Sequence, residues 1–188
     1  MADSNITKRA LANALKELMR EQPFSKISIS DICDRCDMNR KSFYYHFKDK
    51  YDLFNWCFDT EFIECVNLGT NQEMTNDRWD MIERACTYLY ENKEIYRNAL
   101  KVTGQNCFSE HLREFCFPIL KVRIANLAGT EMADDFAANF FTDAAICAIL
   151  RWLTDKSCMT PEEFTMRLKR MVQNGAVCIC EEMEQKKQ

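Results

Sequence analysis

The sequence is poor in the residues that make tight turns, since only four of its 188 residues are glycine and three are proline. Hairpins and strand connections depend on such residues, so this scarcity argues against a β-rich protein and favours long helices. No apolar run approaches the ~20 residues that span a bilayer, and the N-terminus lacks the apolar stretch of a signal peptide. We therefore expect a soluble, cytoplasmic protein without membrane contact.

Motifs of common enzyme classes are also missing from the sequence. It contains no Gly-rich phosphate loop and no G-x-S-x-G nucleophile elbow. Only His46 and His111 could act as general bases near neutral pH, and His46 lies in a segment that has another interpretation below. We predict that the protein is not an enzyme and needs no cofactor.

Cysteine, in contrast, is abundant, with eleven residues. A secreted disulfide scaffold is short and rich in loops, whereas these cysteines lie among apolar residues of predicted helices, which favours reduced thiols in the core. Cys33-x-x-Cys36 raises the possibility of a zinc site, but no second CxxC or HxxxH pair supplies the remaining ligands. We predict no metal, and a thiol-based redox sensor stays an alternative.

The negative charge of the protein is unevenly distributed. The net charge is -4, yet the first 50 residues hold ten Lys and Arg against seven Asp and Glu, and the rest hold 15 against 22. A mildly basic end on an acidic body is typical of local contact with DNA rather than of general polyanion binding.

Apolar residues recur at helical spacing along most of the chain, and capping residues indicate where helices start. Ser28, Asn39, Asp49 and Thr160 are the predicted N-caps, with Asp31 completing a capping box. The predicted helices cover 5–22, 29–36, 40–47, 50–69, a stretch from 76 onward, 92–100, 109–127, 131–155 and 161–184.

The second and third helices are short, are separated by a tight turn and follow a helix that can brace them. This is helix-turn-helix geometry, in which the second helix of the pair lies in the major groove. Phe43 and Phe47 are four residues apart and can bury together. The outward or N-terminal residues have side chains that suit bases and phosphates; they are Asn39, Arg40, Lys41, Ser42 and Tyr45. If charge alone is considered, the alternative is that the basic residues of this segment only form a solvent-exposed face.

The order of this segment resembles the N-terminal signature of TetR/AcrR-family regulators. Ile29-Ser30-Asp31-Ile32 is followed by Phe-Tyr-Tyr-His-Phe at 43–47 and Lys-Asp-Lys at 48–50. The match covers about the first quarter of the chain, and it is most similar to the branch that contains activators of dihydroxyacetone-kinase operons. The family usually has Gly at the turn position held here by Asp37, which tolerates left-handed backbone at a small cost.

The resemblance implies roles for matching residues. Tyr44 would hydrogen-bond a DNA phosphate, Lys50 would bind phosphate at the start of the fourth helix, and Ser28 would cap the second helix near the DNA backbone. We assign base reading to Arg40, Lys41 and Tyr45. The full set of predicted DNA-binding residues is Ser28, Asn39, Arg40, Lys41, Ser42, Tyr44, Tyr45, His46, Lys48 and Lys50, with Ser42 and His46 assigned to backbone contacts.

The same resemblance implies an all-α fold, with a three-helix DNA-binding domain over 1–51 and a helical effector-binding and dimerisation domain over 52–188. In this family the last two helices pair with those of a second copy. Small residues among large ones allow such close approach, although the stripes could also bury only within their own core. The predicted interface residues are Phe141, Ala145, Ala148, Trp152, Leu168, Met171, Val172, Gly175 and Ile179.

Aromatic residues with a few polar tips lie in the central helices, where the family implies an effector site. The predicted pocket residues are Trp79, Tyr88, Tyr96, Phe108, His111 and Phe115, and ordinary core packing is the alternative for each. The sequence thus predicts a regulator that binds a palindromic operator as a homodimer and responds to a small-molecule effector or a protein co-regulator. A helical interaction module without DNA binding is the remaining alternative.

Overall fold

The computed structural model describes residues 2–67, 79–102, 107–128 and 135–172. Every regular element within these ranges is helical, which confirms the predicted all-α class. In chain order the elements are α1 (Ala2–Glu21), a 3₁₀ turn (Phe24–Lys26), α2 (Ile29–Arg35), α3 (Arg40–His46), α4 (Lys50–Asn67), α5 (Trp79–Glu91), α6 (Lys93–Ala99), α7 (Phe108–Ala128), α8 (Asp135–Thr154) and α9 (161–172).

The helices lie close to their predicted positions. The main difference is at α1, which begins at Ala2 rather than near Asn5. The predicted start of α9 is confirmed, because the Thr160 hydroxyl accepts a hydrogen bond from the Glu163 N–H at 3.3 Å. The predicted starts near residues 76 and 131 and the predicted end near residue 184 lie outside the described residues.

The chain divides into two compact units, Met1–Met74 with Glu91–His111 and Thr75–Tyr90 with Leu112–Gln188. We call these the first and the second unit. The first unit contains the helix-turn-helix segment together with the whole of α4 and α6. The functional boundary predicted near Tyr51 stays a prediction, because a division by contacts does not test it.

Helix α1 is the centre of the first unit. It packs against α2, α4 and α6, and its side chains Leu11 and Leu15 are completely buried. Ion pairs lie around this core, among them Arg35 with Glu21 at 2.7 Å. Exposed ion pairs contribute little to stability, so the buried apolar face of α1 is what braces the helices packed on it.

Aromatic rings from three helices form the other part of this core. Phe54 and Phe58 of α4 each contact Phe108 of α7, with ring centroids 5.2 Å apart in both pairs. Tyr96 of α6 packs against Phe108 at 5.1 Å. Such edge and tilted contacts add to the burial of large apolar surfaces, so α4 and α6 are held firmly within the unit.

Trp152 of α8 lies in the core of the second unit, where it is 4% exposed. Its ring stacks on Phe164 of α9 with centroids 4.3 Å apart and planes 6° from parallel, and Tyr90 of α5 stacks on it at 6.0 Å. The indole N–H donates to the Met159 carbonyl at 2.9 Å, so the polar atom is satisfied. The Trp152 ring therefore packs α8 against both α5 and α9.

Candidate nucleic-acid interface

Helix α2 begins with the predicted capping box. The Asp31 N–H donates to the Ser28 hydroxyl at 3.2 Å, and the Ser28 N–H donates to the Asp31 carboxylate at 2.8 Å. Hydrogen bonds from the Ser28 backbone N–H and from the Ser28 side chain favour the ionised carboxylate and lower the pKa of Asp31. The two reciprocal hydrogen bonds fix where α2 begins, because two otherwise unpaired N–H groups at the helix start gain partners.

The turn between α2 and α3 is built around Asp37, whose φ is 53°. Among the described residues other than glycine, Asp37 alone has positive φ. The Met38 N–H then donates to the Cys33 carbonyl at 2.9 Å, which closes the C-terminus of α2. The expected left-handed turn without glycine is confirmed, so the chain reverses here at some conformational cost.

Helix α3 is capped at one end and anchored along one face. The Asn39 side-chain oxygen accepts from the Ser42 N–H at 2.8 Å, as predicted. Phe43 and Phe47 are 0% and 4% exposed, and their rings lie 6.0 Å apart. These contacts hold α3 against the rest of the unit and leave its other face outward.

The outward face of α3 carries cations and tyrosines. Tyr44 is 51% exposed and Tyr45 83% exposed, and Arg40 and Lys41 are exposed beside them. Within the described part of the chain, neither cation forms an ion pair with an acid. Their hydrogen-bond donors are therefore available to an external acceptor.

The remaining predicted contact residues lie at the ends of this face. Lys48 is exposed, and its backbone N–H donates to the Asp52 carboxylate at 2.9 Å. His46 is partly exposed, with its ring 4.8 Å from that of Tyr45 in an edge-to-face arrangement. The side-chain oxygens of Ser28 and Asn39 both serve as helix caps.

Lys50 differs from the other cations because its ammonium group points into the protein. It donates to three main-chain carbonyls, those of Phe24 at 2.7 Å, Ser25 at 3.2 Å and Ile27 at 2.7 Å. Burial lowers the pKa of Lys50, while the carboxylates of Asp31 and Asp49 oppose that shift. These carbonyls use all three of its N–H donors, so the contact between this ammonium and a phosphate stays a prediction that would require the ammonium to leave them.

Two family models match the chain. The model described as bacterial regulatory proteins of the tetR family matches residues 11–57, and TetR_C_8, a transcriptional regulator C-terminal region, matches residues 77–174, more than half of the chain. The chain belongs to the TetR family of transcriptional regulators. The resemblance noted in the N-terminal segment is thereby confirmed and extended into the second unit.

Curated relatives match shorter stretches of the chain. The HTH-type dhaKLM operon transcriptional activator DhaS of Lactococcus lactis is 31% identical over 97 residues, which is 52% of this chain and 50% of the relative. The transposon Tn10 TetC protein of Escherichia coli is 28% identical over 78 residues, which is 41% of this chain and 39% of the relative. The chain thus spans half or less of the length of these relatives.

Solved structures match over nearly the whole chain. A TetR transcriptional regulator from Streptococcus agalactiae has a TM-score of 0.67 at 20% identity and is covered to 96%, with 91% of this chain matched. The dihydroxyacetone kinase operon activator DhaS has a TM-score of 0.62 at 17% identity, with 92% of this chain and 97% of that chain covered. NalD of Pseudomonas aeruginosa, the secondary repressor of the MexAB-OprM multidrug efflux pump, has a TM-score of 0.58 at 18% identity, with 92% and 96% covered. These matches show the fold of the family, a helix-turn-helix domain followed by a helical domain.

The residues predicted to line an effector pocket fall into both units. Tyr96, Phe108 and His111 belong to the first unit, and the first two of these are buried in the aromatic cluster around Phe58. His111 lies against it, with its Nε2 atom 2.7 Å from the carboxylate of Asp59, a partner that the sequence did not suggest. The other predicted pocket residues, which belong to the second unit, are Trp79, Tyr88 and Phe115.

The residues predicted to form the dimer stripe differ in their exposure. Trp152 is only 4% exposed, because it stacks inside its own unit, so it is a core residue. The exposed face of α8 lies one residue away from that stripe and contains Phe136, Phe140, Ala144, Cys147 and Arg151. Phe141, Ala145, Ala148, Leu168 and Val172 are partly buried, whereas Met171 is exposed; Gly175 and Ile179 lie outside the described residues.

Helix α8 is also long and apolar enough to span a membrane, which differs from the expectation drawn from the sequence. That property rests on length and composition alone, and helices in the cores of soluble proteins share it.

Cys33 of α2 and Cys36, the residue that follows this helix, show no sign of an activated thiol. Burial raises the pKa of both Cys33 and Cys36 above its ordinary value, and the Cys36 thiol donates to the Ile32 carbonyl at 3.2 Å. A reactive thiol needs the opposite shift, since the thiolate is the nucleophile. Among the described residues, no group of three or more metal-binding side chains comes together.

Proposed function

We propose that this TetR-family regulator binds a palindromic DNA operator as a homodimer in the cytoplasm. The observation that carries the proposal is the outward face of α3. Its cations and tyrosines are exposed and lack acidic partners in the described part of the chain, while Phe43 and Phe47 hold the helix from behind. A braced helix with this set of donors suits the major groove.

Each residue on this face has a proposed contact. Arg40, Lys41 and Tyr45 read base edges, because they are exposed near the start or along the outer side of α3. Tyr44 and Lys48 bind phosphates, which sets the register without reading sequence. The other backbone contacts come from Ser28, Asn39, Ser42 and His46, of which Ser28 and Asn39 contribute mainly by fixing the helix starts.

The second unit supports the proposal of a dimer. Phe136 and Phe140 of α8 are 79% and 60% exposed, and Met171 of α9 is 70% exposed. Phe136 and Phe140 are four residues apart and therefore share one face of α8, and a contiguous exposed apolar patch is typical of an interface. Two copies related by a two-fold axis would match the symmetry of a palindromic operator.

Modulation by an effector or a co-regulator is part of the proposal. Four of the predicted pocket residues are partly exposed and give candidate contacts for an apolar ligand within their own units; they are His111 in the first unit and Trp79, Tyr88 and Phe115 in the second. A compound or protein that changes operator affinity should also raise the melting temperature of the protein, because binding stabilises the folded state.

Operator binding is tested with fluorescence-labelled DNA from the protein's own upstream region, titrated at several salt concentrations. We expect sequence-selective binding that weakens steeply with salt. Lys41→Ala should weaken it, whereas the matched control Lys156→Ala, which removes an exposed lysine of the second unit, should not. Absence of selective binding on every neighbouring promoter, or an equal effect of both variants, would contradict the proposal.

A further inference from the structure

The connector between α1 and α2, residues 22–28, is held by two side chains from other helices of the first unit. Asn98 of α6 and Lys50 at the start of α4 both bind its main chain. They meet at Phe24, whose N–H donates to the Asn98 side-chain oxygen at 2.8 Å and whose carbonyl accepts from the Lys50 ammonium at 2.7 Å. We call this arrangement the connector clamp.

Asn98 uses its whole amide group in the connector clamp. Its NH₂ group donates to the carbonyls of Met19 and Gln22, both at 2.8 Å, while its oxygen accepts from Phe24. Carbonyls at the end of α1 have no partner within the helix, and Pro23 cannot supply a donor. The amide therefore supplies hydrogen-bond partners to two carbonyls and one N–H group that have none in the neighbouring backbone.

Lys50 makes the corresponding contacts from the other side. Two of its carbonyl acceptors, those of Phe24 and Ser25, lie within the 3₁₀ turn, and the third belongs to Ile27, which directly precedes the N-cap Ser28. The ammonium also lies 5.1 Å from the centroid of the Phe24 ring, which is itself buried against Tyr51 and Phe54. Moving Lys50 away would leave these carbonyls without their charged donor and would loosen the segment that leads into α2.

We propose that Lys50 and Asn98 are positioning residues, which fix the connector and thereby the placement of α2 and α3 for DNA binding. Lys50 then contributes to operator affinity through the connector and not through a phosphate contact of its own. The proposal rests on the proposed operator binding. Its structural half, the clamp itself, can be measured without DNA.

The first test compares Lys50→Met with Lys48→Met, which removes the same charge from an exposed lysine two residues earlier. Affinity is measured against salt at a temperature where circular dichroism shows each variant fully folded. We expect Lys50→Met to weaken binding roughly tenfold, about 1.4 kcal/mol, without changing the salt dependence. Lys48→Met should reduce the slope of log affinity against log salt by about 1.8 for a dimer that loses two phosphate contacts.

The second test uses Asn98→Ala, with Asn13→Ala on the exposed side of α1 as its control. Loss of the amide should lower the melting temperature by about 3–10 °C and accelerate hydrogen exchange at the Phe24 amide, because buried groups lose their partners. The control should leave both unchanged. Since Asn98 and Lys50 share Phe24, the double variant should lose less stability than the two single variants together.

The outcomes distinguish a positioning role of the connector clamp from a purely stabilising one. They also distinguish failure of the clamp from failure of the proposed operator binding. A flattened salt slope for Lys50→Met, with normal melting and normal exchange at Phe24, would overturn the clamp and restore the phosphate contact. Unchanged affinity of the folded Lys50→Met and Asn98→Ala proteins would show that the clamp only stabilises. If the parent protein bound no operator, the exchange and melting data would still decide whether the clamp exists.

Discussion

The two units expose different kinds of large side chain. In the first unit the exposed aromatic residues on α3 are Tyr44 and Tyr45, which carry hydroxyl groups and lie beside Arg40. In the second unit they are Phe136 and Phe140 on α8, which have no polar atom. A wet, charged partner such as DNA suits the first surface, whereas a second apolar protein surface suits the other. The chemistry of the exposed rings therefore distinguishes the proposed DNA-binding face from the proposed dimer face.

The prediction with the largest expected effect tests which side of α8 belongs to the core of the second unit. Trp152→Ala should destabilise the protein by about 3–5 kcal/mol, because it removes a buried ring stacked on Phe164 and Tyr90. Urea unfolding followed by circular dichroism measures this loss. A change of less than about 1 kcal/mol, combined with a loss of dimer, would return Trp152 to the interface.

The complementary change is on the exposed face of the same helix. Phe140→Asp should keep the fold and weaken the dimer by about 2 kcal/mol or more, since it places a charge in an apolar interface. Sedimentation velocity over a range of concentrations measures the effect, and Phe140→Leu is the matched control that retains apolar surface. A dimer as tight as the parent would show that the second unit uses another face.

In the first unit the corresponding change is Arg40→Ala. Loss of this exposed guanidinium should relax selectivity at one base position by about 1–3 kcal/mol, because the change removes the proposed contact between Arg40 and a base edge. Binding to a set of operators with single substitutions measures it. A uniform loss across all operators would instead make Arg40 a phosphate contact.

The local features of the DNA-binding segment could be predicted from the sequence. The capping box of Ser28 and Asp31, the Asn39 cap and the left-handed Asp37 depend on residues within three or four positions of one another. These hydrogen bonds join residues that are close together in the sequence, so few other partners compete for them. For this reason the helix starts in this segment agree closely with the structure.

The distant contacts could not be predicted in this way. Asn98 lies 74 residues from Phe24, and Lys50 lies 26 residues from it, so their bonds exist only once the helices have packed. The burial of Trp152, which the sequence analysis includes in the dimer stripe, could not be predicted for a similar reason. Trp152 turns its stripe inward through stacking on residues of α5 and α9, and periodicity alone does not show which apolar stripe gains such partners.

The smallest expected effect concerns the turn of the DNA-binding segment itself. Asp37→Gly should stabilise the protein by about 1 kcal/mol, because glycine adopts a φ of 53° without the clash of a Cβ atom, although its freedom in the unfolded chain offsets part of the gain. The change also removes a negative charge from the turn between α2 and α3, so operator affinity should rise slightly and most visibly at low salt. Asp37→Ala is the matched control, since it removes the charge and keeps the Cβ. Equal stability of the two variants would mean that the left-handed turn stores no strain, and equal affinity of the Ala variant and the parent would mean that this carboxylate lies away from the DNA.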